Sequence, residues 1–497
     1  MELNDSEMEP PGRSVRPALI AELQAILPED AVLFDDEDLR PFECDGLSIY
    51  RRSPLLVCLP ETVEQVQKIL TICHEWRVPV VARGAGTGLS GGALPLQDGI
   101  LLSMAKFTRV LDVDPVNRLA RVEPGVRNLV ISQVAEPFGL YYAPDPSSQI
   151  ACTIGGNVAE NAGGVHCLKY GLTVHNVVGL KVLTIDGQLL EIGGAMPDSP
   201  GYDLLALMTG SEGLLGVIVE VTVRLLPRPE AARLIMAAFD DVAQAAAAVS
   251  RIIAAGIIPA GLEMMDRLAI QAAEDFAHAG YPRDAAAILL CELDGQMVEV
   301  DEQIAWVQQL LHQAGASQLE VAVDDEQRQR LWAGRKAAFP AVGRLAPDYY
   351  CMDGTIPRHQ LPQVLEQIGR WSQEYGLAVA NVFHAGDGNL HPLILYDASK
   401  PGEVERVEEL GGRILELCIE VGGTVTGEHG VGVEKLGQMC VQFGEHELRQ
   451  FHAVKDALDP RALLNPGKAV PTLHRCAEFG AMHVHKGKLP FPELERF

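Results

Sequence analysis

At 497 residues the chain is too long for a single hydrophobic core, and its length predicts two or three domains. With 47% hydrophobic and 22% charged residues, its composition is that of a soluble globular protein. The formal net charge is -27, which repels the phosphates of nucleic acids and the surfaces of anionic membranes. The charge therefore excludes a nucleic-acid partner. Because no run of about 18 apolar residues lacks charges, any membrane contact is expected to be peripheral.

The N-terminus and the cysteines indicate in which cellular compartment the protein works and whether it contains disulfides or a cysteine-ligated cluster. The first residues, MELNDSEMEPPGRS, carry neither the basic nor the apolar region of a secretory signal, so we expect a cytoplasmic protein. The ten cysteines are scattered singly, without any CxxC spacing. This pattern indicates buried thiols, and it favours neither a disulfide framework nor a cysteine-ligated cluster.

The first glycine-rich stretch, RGAGTGLSGGA, spans residues 83–93 and follows a predicted helix and strand. Its glycines satisfy G-x-G-x-x-G, but a Rossmann loop must open directly into a helix. Here Pro95 and Gly99 interrupt any helix, and ILLSM is typical of another strand. The remaining interpretations are a loop whose backbone N–H groups bind phosphate and a plain surface turn.

The segments that follow the first loop end at a predicted domain boundary. A hairpin is followed by a predicted helix from Arg127 to Phe138 and by a second glycine-rich stretch, residues 143–171. A further hairpin turns at Asp186-Gly187, and two prolines, Pro227 and Pro229, indicate the boundary.

Beyond that boundary, strands alternate with longer helices. Helices are predicted over Asp241–Ala255, Val300–Gln313 and Leu361–Tyr375, and strands at AAILLCEL and LAVANVFH. This pattern predicts an antiparallel sheet with helices covering one of its faces.

Three motifs in this order, RGAGTGLSGGA, PDPSSQIACTIGGNVAENAGG and GSEGLLGVI, resemble the FAD-binding domain of vanillyl-alcohol oxidase type flavoproteins. The resemblance implies an α+β fold, with a two-subdomain FAD-binding domain and a cap domain built on an antiparallel sheet. The implied division is a helical lead-in (1–50), the FAD-binding domain (51–228), the cap (229–455), a segment returning to the flavin (456–471) and a C-terminal tail (472–497).

The same resemblance assigns the cofactor contacts. The first loop would hold the pyrophosphate, the second would run beside the flavin and ribityl chain, and a third segment would flank the adenine and ribose. Neither a cysteine nor a histidine occurs in the first loop, so we expect dissociable FAD. The implied residues are Arg83, Gly84, Gly86, Thr87, Gly88, Ser90, Gly91, Gly92, Pro144, Asp145, Thr153, Gly155, Gly156, Asn157, Gly163, Gly164, Glu212, Gly216, Ile218, Asn465 and Lys468.

A second constellation combines histidines with a glutamate. In NVFHAGDGNLH, residues 381–391, a turn at GDGN would bring His384 and His391 side by side. Together with Glu428 they form a plausible open site for Zn²⁺ or Mn²⁺. From spacing alone, hydrogen-bonded histidines at a domain interface are the commoner alternative.

HAGDGNLH and GEHG resemble the metal motifs of the 2-hydroxyacid dehydrogenase branch of this family. The resemblance implies that His384, His391 and Glu428 bind the metal, that His429 is the catalytic base, and that Arg335 grips the substrate's carboxylate. Relatives acting on larger diacids differ at two positions, where this chain has Cys351 and Leu393. These departures favour a small monocarboxylate such as glycolate or D-lactate.

The implied activity is oxidation of a small 2-hydroxy acid to the 2-oxo acid by hydride transfer to FAD. The chain would be the catalytic subunit of a glycolate-oxidising complex with a second flavin-type subunit and an iron-sulfur subunit, which would also provide any membrane contact. The alternatives are a self-sufficient D-lactate dehydrogenase with a diffusible acceptor and a catalytically silent flavin-binding scaffold. The tail, whose Cys476, His474, His483 and His485 fit no standard zinc spacing, is interpreted as a docking segment.

Overall fold

The computed structural model describes residues 11–196 and 201–479, and its first sheet carries the first glycine-rich loop. The strand order is β1-β2-β4-β3, and β3 pairs with β4 in parallel. Residues 84–99, which join these two strands, form no helix, so the Rossmann alternative is excluded as predicted. The elements are α1 Pro11–Gln24, β1 Val32–Leu33, α2 Asp36–Leu39, β2 Leu56–Cys58, α3 Val63–Trp76, β3 Val80–Arg83 and β4 Ile100–Ser103.

The second sheet is antiparallel, with the strand order β5-β6-β10-β8-β9. The second glycine-rich stretch contributes a seven-residue helix, α5, whose N-cap Thr153 accepts a hydrogen bond from the Gly156 amide. The elements are β5 Val110–Asp114, β6 Leu119–Val122, α4 Asn128–Ala135, β7 Leu140–Tyr141, α5 Ile154–Glu160, α6 Cys167–Tyr170, α7 Thr173–Asn176, β8 Val177–Leu183, β9 Leu189–Gly193, α8 Leu204–Met208, β10 Val217–Arg224 and β11 Leu226–Pro227.

The cap is built on a seven-stranded antiparallel sheet, in the order β15-β12-β14-β13-β18-β20-β16. Its elements are β12 Ala231–Phe239, α9 Val242–Ala254, β13 Gly261–Asp266, α10 Arg267–Ala277, β14 Ala287–Gly295, α11 Met297–Gln313, β15 Gln318–Val321, α12 Asp325–Lys336, α13 Ala338–Val342, β16 Asp348–Cys351, β17 Gly354–Thr355, α14 Leu361–Tyr375, β18 Val379–Phe383, β19 Asn389–Leu390, β20 Pro392–Tyr396 and α15 Glu403–Glu420.

Helices cover both faces of the cap sheet, so the expectation of one covered face was wrong. Alternate residues of β12 enter different cores: Ile235 packs in the core with α9, α11 and α14, while Met236 packs with α10, α12 and α13. In β14 the eight residues from Ala287 to Asp294 are all buried, which is typical of a strand enclosed on both sides. Each fully buried leucine of such a strand contributes about 1.5–3 kcal/mol.

A tight reversal between β18 and β19 positions the two histidines, as predicted. The backbone amides of Asp387 and Gly388 donate to the carbonyl of His384, and His384 forms a bridge with Asn389. Gly388 has φ +76°, and a Cβ there would collide with the carbonyl of Ile356. The imidazole centroids of His384 and His391 are consequently 5.2 Å apart.

After the cap, the chain returns to the first sheet. The described end contains α16 Leu436–Gln442, α17 Glu445–Leu458 and α18 Leu473–Phe479. Leu464 bridges Val80 on the free edge of β3, and the Val80 amide donates to Leu463 while the Asn465 amide donates to Val80. The first sheet is therefore completed by residues from the far end of the sequence.

A disulfide joins Cys440 in α16 to Cys476 in α18, which the scattered cysteines did not predict. The other eight cysteines are free thiols, and seven of them are buried. His483 and His485 lie outside the described residues, as does most of the tail interpreted as a docking segment. Within the described ranges, none of the helices is both long and apolar enough to cross a membrane.

The disulfide predicts the number of reactive thiols. Protein purified without reductant and then denatured is expected to expose eight thiols to Ellman's reagent, and ten after reduction. A count of ten before reduction would contradict the Cys440–Cys476 bond. The Cys476→Ser variant should titrate nine thiols, because Cys440 loses its partner.

Candidate functional site

A cavity of ≈ 460 Å³ lies where the two glycine-rich loops meet the cap. This volume is within the usual range of cofactor and ligand sites. Residues of both loops, of the segment 211–218 and of the cap line it. The predicted cofactor residues on its wall are Arg83, Gly84, Gly86, Thr87, Gly88, Gly92, Thr153, Gly155, Gly156, Asn157, Glu212, Gly216 and Ile218.

The first loop presents backbone donors that the protein does not use. Within the described part of the chain, none of the amides of residues 84–92 donates a hydrogen bond to another protein group. The Nδ2 atom of Asn157, across the cavity, is buried and also has no partner there. An unpaired buried donor such as Asn157 Nδ2 is costly, and the loop amides are free to donate, so this wall fits an anionic, hydrogen-bond-accepting ligand such as a pyrophosphate.

The other predicted cofactor residues lie behind the wall. The Asn465 side chain donates to the carbonyls of Gly92 and Glu212, and Ser90 accepts from the amides of Val433 and Glu434. Lys468 donates to the Asn465 side chain. Six further predicted residues do not line the cavity: Gly91, Pro144, Asp145, Gly163, Gly164 and Lys468.

Glu212 was predicted to lie beside the adenine and ribose. The structure gives it a further, structural role. Its carboxylate accepts from the amides of Val431 and Gly432, at 2.6 and 2.7 Å. These amides directly follow the GEHG motif. Glu212 therefore anchors the GEHG segment to the FAD-binding domain.

His384, His391 and Glu428 converge on one point beside the cavity. The Nε2 atoms of His384 and His391 lie 3.1 and 3.3 Å from Oε1 of Glu428. Both histidines are buried, Nε2 of His391 also lies 3.4 Å from Oδ1 of Asp353, and its Nδ1 has no hydrogen-bond partner among the described residues. Burial opposes ionisation of Glu428, but the histidines outweigh it and lower its pKa to about 2.

His429 lies on the cavity wall with His391 and Glu428. Its ring stacks on that of His391, with the centroids 4.9 Å apart. Burial lowers the pKa of His429 to about 4, so its imidazole is neutral at neutral pH and its Nδ1 has no described partner. A neutral, unpaired imidazole on the wall of a cavity is able to accept a proton.

Asp353, which the sequence analysis did not single out, organises this region from the cap. Its fully buried carboxylate accepts from the backbone amides of Gly427, Glu428 and His429. Three side chains also donate to it: Thr426, Asn389 and, at 2.9 Å, the ammonium of Lys435.

A second group of possible metal ligands, Asp353, His391 and His429, overlaps the first. The oxygens of Asp353 are already occupied by these donors. Among the described residues, the Glu428 carboxylate is paired only with histidines, so the first group fits a metal better.

Arg335 does not line the cavity. It is buried, and its guanidinium meets Glu263 through Nε at 2.9 Å and Nη2 at 2.7 Å. The other oxygen of Glu263 accepts from Nδ1 of His384 at 2.8 Å. In this structure Arg335 thus supports a carboxylate that orients His384, an arrangement typical of groups behind a metal ligand.

The two positions that differ from diacid-oxidising relatives are adjacent in space. Cys351 in β16 pairs with Leu393 in β20, and both are buried away from the cavity. Among the cavity residues that the sequence did not indicate are Glu160, Lys336 and Phe339.

Comparisons with known proteins agree with this architecture. Residues 54–193 match the family described as FAD binding domain, and residues 228–469 match FAD linked oxidases, C-terminal domain. The chain is 66% identical over 482 residues to glycolate oxidase subunit GlcD of Escherichia coli (strain K12), covering 97% of each chain. The chain belongs to the FAD-linked oxidase family. The prediction of an FAD-linked oxidoreductase, with FAD as its cofactor, is confirmed.

More distant relatives of this FAD-linked oxidase include a probable mitochondrial D-lactate dehydrogenase of Danio rerio, 32% identical over 85% of this chain and 86% of that one. Among solved structures, p-cresol methylhydroxylase superimposes with a TM-score of 0.79 at 19% identity, covering 93% of this chain and 98% of that one. This match confirms the predicted fold, with its FAD-binding domain and antiparallel cap.

Proposed function

We propose that this FAD-linked oxidase converts glycolate, or a similarly small 2-hydroxy acid, to the 2-oxo acid as the catalytic subunit of a glycolate oxidase. The observation that carries the proposal is the convergence of His391, Glu428 and His429 on the wall of the cavity that the glycine-rich loops form. Cofactor and acid-base chemistry thereby share one space. The 66% identity to a glycolate oxidase subunit supports glycolate as the first substrate to test.

A divalent ion, Zn²⁺ or Mn²⁺, would be held by Nε2 of His384, Nε2 of His391 and Oε1 of Glu428. Two ligands about 2.1 Å from one ion lie roughly 3.0–3.4 Å apart, and the measured separations from Oε1 are 3.1 and 3.3 Å. Such an ion, when bound, would supply the positive charge that lowers the pKa of a substrate hydroxyl. Glu263 would keep His384 oriented through Nδ1.

The protein's own residues would hold the reactants and move the proton. The free amides of residues 84–92 would bind the FAD pyrophosphate without a covalent bond, and FAD would accept the two electrons. His429, neutral at neutral pH, would take the hydroxyl proton of the substrate. Because the His391 ring stacks on it, the base would keep a fixed distance from the metal ligands.

The visible spectrum of the purified protein tests this function. Under anaerobic conditions, glycolate and D-lactate are each added with and without a strong chelator. Flavin bleaching that the chelator prevents would support both FAD reduction and the metal, and the faster acid identifies the preferred substrate. A flavin spectrum that neither acid changes would contradict the proposed activity.

A glycine substitution tests the metal separately. A Cβ on Gly163 would lie 2.5 Å from Oε2 of Glu428, so Gly163→Ala is expected to displace this ligand and reduce the metal content at least several-fold. Plasma mass spectrometry would measure metal per chain. Gly194→Ala, where a Cβ meets nothing within 4 Å, is the matched control. Equal metal contents in the two variants would count against the assigned ligands.

Partner subunits follow from the same proposal. We infer a second flavin-type subunit and an iron-sulfur subunit as electron acceptors, through which the chain would associate peripherally with the inner membrane. The relative named as a glycolate oxidase subunit supports assembly into a complex. Isolation of the tagged chain from its native cells, followed by mass spectrometry, would identify the partners.

A further inference from the structure

Glu160 lies on the cavity wall between two segments that approach it through glycines. It is the last residue of α5, and it lines the cavity. A Cβ on Gly92 of the first loop would lie 2.6 Å from Oε1 of Glu160, and a Cβ on Gly430 of the GEHG motif would collide with Oε2. The carboxyl group of Glu160 is therefore enclosed where the first loop meets the GEHG segment.

The carboxylate of Glu212 lies beside this carboxyl group. The same two glycines contact it, since a Cβ on Gly430 would lie 2.9 Å from its Oε1 and a Cβ on Gly92 would lie 3.5 Å from its Oε2. Glu212 accepts hydrogen bonds from the amides of Val431 and Gly432. Backbone donors stabilise the ionised form of a carboxyl group, so the negative charge of the pair resides on Glu212.

Glu160 has no comparable donors. Its Oε2 is buried without a hydrogen-bond partner among residues 11–196 and 201–479. Burial, together with the negative charges of Glu212 and Asp45, raises the pKa of Glu160 well above its usual value. The uncharged form, which this position favours, carries a hydrogen that it can donate.

The two lysines near this pair of acids do not neutralise Glu160. Each already donates to another side chain, Lys435 to Asp353 and Lys468 to Asn465. Their positive charges act against the rise in the pKa of Glu160, but burial and the neighbouring acids outweigh them. Neither lysine forms an ion pair with Glu160 within the described part of the chain.

We propose that Glu160 stays uncharged in the FAD-loaded enzyme and donates a hydrogen bond to the cofactor. FAD offers acceptors along its length, namely the pyrophosphate oxygens and the flavin carbonyls. The free amides of the first loop and Nδ2 of Asn157 are donors on the same wall, and Glu160 would extend this surface. An ionised Glu160 would instead add a second negative charge beside Glu212, facing a diphosphate.

Glu160→Gln and Glu160→Leu test the proposal through the affinity for FAD. Glutamine keeps the shape and a hydrogen-bond donor without a charge, so the Kd of FAD at neutral pH should stay within about threefold of that of the parent. Leucine removes the donor, and the Kd is expected to rise about five- to twentyfold. Dilution of the loaded protein, followed by the fluorescence of the released FAD, measures the Kd of each variant.

The pH dependence of binding tests the role of the proton directly. Above the pKa of Glu160, the unloaded protein must take up a proton before FAD binds, so the Kd of the parent should rise with pH, by up to about tenfold per pH unit. Glu160→Gln cannot ionise and should lack this rise. Other titrating groups, such as Lys468, whose pKa burial lowers to about 7, are present in both proteins and do not affect the comparison.

Glu75 provides the matched controls, because it is exposed in α3 and does not line the cavity. Glu75→Gln and Glu75→Leu should bind FAD as the parent does. If Glu160→Gln weakened FAD binding as strongly as Glu160→Leu, Glu160 would act as an ionised acceptor and the proposal would be wrong.

Two further results would also overturn the proposal. One is a Glu160→Leu variant that binds FAD like the parent, and the other is an identical pH dependence of the Kd in the parent and in Glu160→Gln. Because no substrate is added, these measurements are independent of the proposed oxidation of 2-hydroxy acids. A protein that no 2-hydroxy acid reduces could still show the expected role of Glu160.

Discussion

Replacing His429 with alanine is expected to slow flavin reduction by glycolate about 10²- to 10⁴-fold while FAD stays bound. The variant removes the imidazole that lies on the cavity wall with an unpaired Nδ1. It keeps the backbone amide that donates to Asp353, so the loop should retain its conformation. Anaerobic stopped-flow absorbance would give the rate, and the visible spectrum of the variant would give its FAD content.

His312→Ala is a suitable control, since His312 is exposed in α11, away from the cavity. This control should reduce its flavin at the rate of the parent. If His429→Ala also kept the rate of the parent, another group would have to accept the proton. If FAD were lost, the substitution would have altered the cofactor site, and the rate would say nothing about the base.

A second large effect is expected from Asp353→Asn. The carboxylate is fully buried and is paired with the ammonium of Lys435, which is itself buried. Removal of one partner leaves the other charge uncompensated and costs about 3–5 kcal/mol. The variant should therefore denature at a markedly lower denaturant concentration, as followed by release of flavin fluorescence, and should reduce its flavin slowly.

The double variant Asp353→Asn with Lys435→Met separates charge from geometry. Because both buried charges are gone, most of the lost stability should return. The amides of Glu428 and His429 still lack their charged acceptor, so flavin reduction should remain slow. Recovery of both properties would show that Asp353 serves only to neutralise Lys435.

The sequence correctly predicted the features that depend on a few consecutive residues. Pro95 and Gly99 exclude a helix after the first loop, and β3 and β4 are indeed joined without one. The GDGN turn brings His384 beside His391 because its hydrogen bonds lie within a few residues. Each of these features requires no knowledge of distant packing.

The features that the sequence did not predict depend on contacts between segments that are far apart in the chain. Asp353 is one acid among many in the sequence, and its importance comes from amides more than seventy residues later. Arg335 and Lys336 are adjacent, and only the burial of Leu331 and Trp332 against the cap fixes which of the two faces the cavity. One residue could have indicated this polar network from the sequence. Glu263 is a charged residue between the apolar residues Leu262 and Met264 of a strand, and a charge in such a position is expected to be buried with polar partners.

The return of the chain to the free edge of β3 has a consequence for biosynthesis. A ribosome releases the first glycine-rich loop early, yet Leu464 and Asn465, which complete this edge, emerge only after the whole cap. Until then β3 presents an unpaired edge, and the Gly92 carbonyl lacks its Asn465 donor. We therefore expect FAD to be loaded only after the cap has been synthesised, and a nascent chain stalled within the cap would expose an aggregation-prone strand rather than a finished flavin site.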